Sequence, residues 1–223
     1  MFPLKDTEPS YSRPVVNIAL IAVNLLVFLF EYSLGPRTLN AFIEYYGLVP
    51  DHFQLSRAFT AMFLHGGWMH VLGNMLFLWV FGGRIEDLLG HAKYLVFYLL
   101  CGIVAALGQV VVSPYSTVPM VGASGAIAGV MGAYLIKFPR ARILTLVLIV
   151  FFVTTIEIPA PIMLGYWFVV QLFSGFGTIA RTHISQGGTA YFAHIGGFVA
   201  GMLLVKIMGT SDRYNRRRDR YWE

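Results

Sequence analysis

The chain has 223 residues, 57% of them hydrophobic and only 12% charged, with a formal net charge of +5. That charged fraction is about half of what soluble domains carry, and it excludes an ordinary soluble fold; a single cysteine, Cys101, excludes an internal disulfide. The positive balance is no nucleic-acid signature, because the basic residues gather in Lys137/Arg140/Arg142 and in the tail Arg213–Arg220, beside apolar runs. There they set topology and meet anionic lipid headgroups.

Repeated apolar runs near twenty residues long predict an all-α polytopic membrane protein. Residues 1–13 are read as a short cytoplasmic tail without a signal-peptide pattern. Pro14 to about Tyr32 is a first span, with the proline in its first turn. Residues 33–66 hold Phe42, Tyr45, Tyr46, Phe53 and Phe59 among scattered charges, and read as a long loop in the interface. Trp68–Gly83 is a second span, 83–90 a turn, and Tyr94–Val112 a third span. Cys101 lies in that run as a buried structural thiol. A loop containing Pro114 and Pro119 leads to Ser124, where a fourth span runs to Phe138. The last span covers about Thr189–Met208, and 209–223 is a basic cytoplasmic tail.

Residues 143–179 are ambiguous, since hydropathy alone counts two spans there. Ser124 and His194 each lie near the start of their span, and they meet only if both spans enter from one side. One net crossing is then required between them. It is assigned to 162–179, leaving 143–158 as a non-spanning, partly extended apolar segment at the inner face. Six spans follow, with both termini inside. Of the 16 basic residues, only Arg37, Arg57 and Arg181 then face outward, as the positive-inside rule expects.

Gly122-Ala123-Ser124-Gly125 places a lone hydroxyl at the mouth of an apolar span. The bland reading is a helix cap beside a packing stripe of Gly125, Gly129 and Gly132. Gly197 and Gly201 repeat that spacing after His194, and small residues on both helices let the backbones approach. Close approach is also what a hydrogen bond from a serine hydroxyl to an imidazole requires. An ionisable residue at membrane depth marks function by default, so Ser124 and His194 are read as nucleophile and base. His70 and Asn74 stand at i and i+4 and share a helix face. Both can donate hydrogen bonds without an obligatory charge, which suits stabilisation of an oxyanion. A metal site built on His65, His70 and His194 lacks a completing carboxylate or cysteine, so no metal or other cofactor is expected. No acidic residue sits where it would orient His194, which predicts a dyad.

These residues resemble the rhomboid family of intramembrane serine proteases. The resemblance is carried by Arg57-Ala58-Phe59-Thr60, His65, His70 through Asn74, Gly83-Arg84-Ile85-Glu86 through Gly90, Gly122-Ala123-Ser124-Gly125, and Ala193 through Gly197 with Gly201. It implies a six-helix core with Ser124 as nucleophile and His194 as base. The oxyanion site would be made of the Ser124 N–H with Asn74 and His70, and 143–158 would be an elaborated loop. Arg57, His65 and Glu86 are expected as hydrogen-bond partners of loop and helix ends, and Gly122, Gly125, Gly197 and Gly201 as structural support. Some members carry an aromatic four residues after the serine, where this chain has Ala128; packing of the glycine stripe is expected to steady His194 instead.

The implied function is cleavage of single-span membrane proteins, at a site opening toward the outer face. Its partners would be transmembrane substrates and the lipid bilayer, with anionic lipid at the basic tail and no nucleic acid. The alternative is a catalytically silent relative that escorts membrane clients; such relatives usually lack the serine and histidine pair. Arg181 through Gly188 suits a mobile cap. The absence of a transit peptide points to a prokaryotic inner membrane.

Overall fold

The computed structural model describes residues 2–7, 12–149, 152–180 and 190–211. Among the described residues, four helices are long and apolar enough to cross a bilayer: α1 (Val15–Ser33), α6 (His91–Val112), α8 (Ala160–Ala180, by its first 18 residues) and α9 (Tyr191–Met208). A fifth, α7 (Ser124–Lys137), is apolar but shorter. At 1.5 Å per residue it measures about 21 Å, less than the ~30 Å of a bilayer's hydrocarbon.

The interfacial segment is not the loop expected of it. It contains α2 (Pro36–Tyr46) and α3 (Leu55–Thr60), with 3₁₀ turns at Pro50–His52 and Ala61–Phe63. Pro36 opens α2 with its φ already set for a helix. None of the α2 residues is buried, so that helix lies on the bundle's surface.

The expected turn at 83–90 is also helical. α4 (Trp68–Phe77) runs through a π turn at Leu78–Gly82 into α5 (Gly83–Leu89), and the chain breaks only at Gly90, whose φ is +82°. The wide turn is braced from α1, where Asn17 Nδ2 donates to the Leu78 carbonyl at 3.0 Å. Tyr94 Oη donates in turn to Asn17 Oδ1 at 2.7 Å.

The axis of the bundle is α7, buried without interruption from Gly125 to Tyr134. It runs parallel to α9 at backbone contact. A Cβ on Gly197 would overlap the Gly125 carbonyl, and one on Gly201 would overlap the Gly129 backbone. Gly125 itself faces Ala105 of α6, where a Cβ would stand 2.6 Å from that methyl.

The chain is mostly helical but not all-α. β2 (Arg142–Ile149) and β3 (Phe152–Pro159) form an antiparallel hairpin across the stretch read as partly extended. β1 (Phe2–Asp6) joins as the third strand, in the order β1-β2-β3. Within the segment read as a tail, Phe2–Asp6 is therefore a paired strand. The physical reason lies in two distant contributions. The β-branched run of β2 offers a free edge, and Asp6 fixes the N-terminal strand beside it. Arg84 donates to Asp6 through Nε and Nη2 at 2.6 and 3.0 Å, and Tyr134 Oη donates at 3.0 Å. The sheet thus sits at the Lys137 end of α7, opposite Ser124. Lys93 Nζ donates to the Met208 carbonyl at 3.1 Å, which puts the C-terminal end of α9 at the same end as α5 and the start of α6.

No side chain within α1 caps its own first turn. Glu86, fully buried on α5, does so from outside, accepting from Val16 N at 2.9 Å and Asn17 N at 2.7 Å. His91 Nδ1 lies 2.5 Å from the same carboxylate. Glu86→Ala should leave two helix N–H groups without partners inside the bundle, each costing about 1–3 kcal/mol. The expected result is a clear fall in the thermal unfolding midpoint in detergent, with Glu86→Gln in between.

Candidate active site

Ser124 is the first residue of α7 and His194 lies in the first turn of α9. Because the two helices pack in parallel, these two positions meet at the same end. Ser124 Oγ stands 2.7 Å from His194 Nε2. The other ring nitrogen, Nδ1, lies 2.8 Å from Gln171 Oε1 on α8. An amide oxygen accepts only, so Nδ1 carries the proton and Nε2 keeps its lone pair for the serine hydroxyl. His194 is 8% exposed and Gln171 is equally enclosed.

Gln171 was not singled out from the sequence. The signal was an amide within an otherwise apolar span, a polar group at membrane depth. Nor is it the glycine stripe that steadies the imidazole. Trp167, one turn before Gln171 on the same face of α8, lays its ring 5.7 Å from that of His194 at 37°. Gln171 and Trp167 hold the ring from α8, and the aromatic missing at Ala128 of α7 is supplied there.

The loop before Ser124 is pinned to the interfacial segment. Leu48 and Met120 exchange backbone hydrogen bonds at 3.0 and 2.8 Å, and Gly122 N donates to the Ala61 carbonyl at 2.8 Å. Gly122 has φ +124°, and a Cβ there would stand 2.7 Å from His70 Nε2 and 3.6 Å from Asn74 Nδ2. These two donors of α4 therefore face the peptide just ahead of Ser124. Gly66 N donates to His70 Nδ1 at 3.4 Å, which leaves the proton on Nε2, toward the site. Asn74 Nδ2 donates to His65 Nε2 at 3.0 Å with one of its two hydrogens. Burial, and then the neighbouring His70, lowers the His65 imidazole to about 4, so it stays neutral and able to accept. The Ser124 N–H is a first-turn amide with no partner inside its own helix. A cavity of about 50 Å³ opens beside Ser124, lined by Gly102, Ala105, Ala106, Gly125, Ala126 and Ala193.

The remaining expected residues lie outside this cluster. Glu86 is at the far end, capping α1. Arg57 sits in α3, and its guanidinium makes no hydrogen bond or ion pair among the described residues. Gly197 and Gly201 lie in the α7/α9 contact, and Gly197 also faces Ala105 of α6. The expected cap at 181–188 and most of the basic tail, from 212 onward, lie outside the described residues.

A sequence profile of the rhomboid domain matches residues 52–211. The chain is similar to rhomboid protease GluP of Bacillus subtilis, with 31% identity over 201 residues, covering 88% of this chain and 35% of that protein. It is also similar to the mitochondrial rhomboid protein 1 of Saccharomyces cerevisiae, with 30% identity over 192 residues, covering 83% of this chain and 51% of that protein. Rhomboid protease GlpG of Salmonella choleraesuis is 29% identical over 131 residues, or 59% of this chain and 46% of its own length. The chain thus spans about a third to a half of these relatives. With the profile covering most of its length and an apolar multi-pass bundle behind it, the chain belongs to the rhomboid family.

Proposed function

We propose that this protein is an intramembrane serine endopeptidase that cuts single-span membrane proteins through a Ser124/His194 dyad. The 2.7 Å contact between Oγ and Nε2 carries the reading. Ser124 attacks the substrate carbonyl as its hydroxyl proton passes to His194 Nε2. The oxyanion is held by the Ser124 N–H, the Asn74 amide and His70 Nε2–H. Collapse of the tetrahedral intermediate expels the amine, which takes the proton from His194. Water then attacks the acyl-enzyme with His194 again as base. The cavity beside Ser124 has a largely apolar lining, with Met62 and Met120 beside the small residues, which suits an apolar side chain on the residue that supplies the carbonyl.

In this reading the bundle crosses the bilayer six times. α4 through α5 and the short α7 are counted with the four long spans. Both termini then lie on the cytoplasmic side with the sheet, in a prokaryotic inner membrane. α7 begins below the outer surface because it is too short to reach it, and Ser124 is wetted from above.

Fluorophosphonate labelling of the purified protein, beside cleavage of a single-span reporter, tests the reading. Labelling confined to Ser124 and lost in His194→Ala is expected. A protein that neither labels nor cleaves would be a silent, client-binding member. Gln171 should matter to rate more than to binding. Gln171→Leu removes the acceptor that fixes the His194 tautomer, an interaction of about 1–1.5 kcal/mol. The expected result is a roughly tenfold lower kcat at similar KM.

A further inference from the structure

The mechanism proposed above uses α4, α7, α8 and α9 and leaves α1 without a part. Yet α1 carries Glu31, 1% exposed near its end. A carboxyl group is costly to bury among apolar side chains, and where this one points is informative. Its Oε2 and Oε1 accept from the backbone N–H of His65 at 3.1 and 3.4 Å. His65 opens the short loop that leads into α4, and Gly67 of that loop has φ +153°.

This loop touches both proposed oxyanion donors. His65 Nε2 accepts from Asn74 Nδ2, and Gly66 N donates to His70 Nδ1. Aromatic contacts hold the His65 ring on two sides. Phe28, one turn before Glu31, meets it edge-on at 6.5 Å, and His70 meets it at 5.1 Å. Phe28 also stands edge-on to Trp68, the first residue of α4, at 4.9 Å. From α1 to the site there is thus an unbroken series of contacts: Glu31 to the His65 backbone, the His65 ring to Asn74, and Gly66 to His70.

We propose that Glu31 is a positioning residue for the oxyanion site. Its carboxylate holds the 65–67 loop at the height where His65 orients the Asn74 amide and Gly66 keeps the His70 proton on Nε2. The inference rests on the hydrolytic reading above and adds to it that α1 sets the geometry of the donors.

The test uses the full chain in detergent with a single-span reporter. Glu31→Ala and Glu31→Gln are made alone and in an Asn74→Ala background, and kcat, KM and the thermal midpoint are measured for each. Glu31→Ala should lower kcat about tenfold or more while KM stays within about twofold, the mark of an interaction that matters in the transition state. Glu31→Gln, whose amide oxygen accepts the same N–H, should recover to within about threefold of wild type. In the Asn74→Ala background, Glu31→Ala should cost less than about threefold more, because coupled residues are not additive. Wild-type kcat in Glu31→Ala overturns the proposal. So does an undiminished loss in the Asn74→Ala background, or a loss that only follows the thermal midpoint. Should Glu31→Ala fail to fold, His65→Phe carries the same cycle, since it keeps the backbone N–H but removes the acceptor for Asn74. Non-additivity with Asn74→Ala supports the proposal and additivity overturns it. A wild-type protein that does not cleave, or cleavage that survives Ser124→Ala, overturns the hydrolytic reading and this inference together.

Discussion

Ser124→Ala and His194→Ala should each reduce cleavage of a single-span substrate by roughly 10⁴-fold or more, and the double variant should be no worse than either alone. The lack of additivity follows from the 2.7 Å contact. In the proposed mechanism Oγ becomes a competent nucleophile only while Nε2 takes its proton, so losing either partner removes the same step. Ser124→Ala deletes one oxygen from a half-buried position and should leave the thermal midpoint almost unchanged. His194→Ala should also lower stability by about 2 kcal/mol or more. It empties a volume between Trp167 and α7 and leaves Gln171 without its partner. Quantifying products on gels alongside thermal melts separates the two effects. Residual cleavage above a hundredth of wild type in Ser124→Ala would remove Ser124 from the chemistry.

Asn74→Ala should lower kcat by about 10²–10³ with KM little changed, the size expected when one preorganised oxyanion donor is removed. Asn74 is 8% exposed, and one of its amide hydrogens is already held by His65. The second is free to face the peptide ahead of Ser124. A fixed donor in an enclosed site needs no reorganisation as charge develops, and that is why a single group can matter this much. Asn74→Asp should be at least as damaging, since it removes the donor and sets a negative charge where negative charge must form. Truncation also frees the His65 lone pair, so a stability loss of about 1 kcal/mol is expected beside the kinetic one. Single-turnover rates of reporter cleavage would show the loss in the chemical step. An unchanged rate in Asn74→Ala would place the oxyanion elsewhere.

Several parts of the fold were legible in the residues. The long apolar runs appear as α1, α6, α8 and α9 within a few residues of the expected ends, because the thickness of hydrocarbon dictates their length. Gly125, Gly129, Gly197 and Gly201 announced two helices at backbone contact, since small residues at fourfold spacing have few other uses in lipid. The Ser124 and His194 positions followed from where each span begins. The same reasoning failed on 33–66 and on 83–90. Charges and aromatics in the first suggested a loop, and the glycines of the second a turn. Gly82 and Gly83 stay helical because α1 and Tyr94 close around the π turn.

What the sequence determined by itself is local or periodic: span lengths, the glycine faces, and the residue types able to act as nucleophile, base and donor. Only the tertiary structure decided that Phe2–Asp6 pairs with a strand about 140 residues away, that Glu86 caps α1, and that Gln171 and Trp167 hold His194. The reason is the same in each case. A strand's partner, or the face a uniformly apolar helix turns inward, depends on contacts between segments far apart in the chain, and neither composition nor spacing within a segment records it.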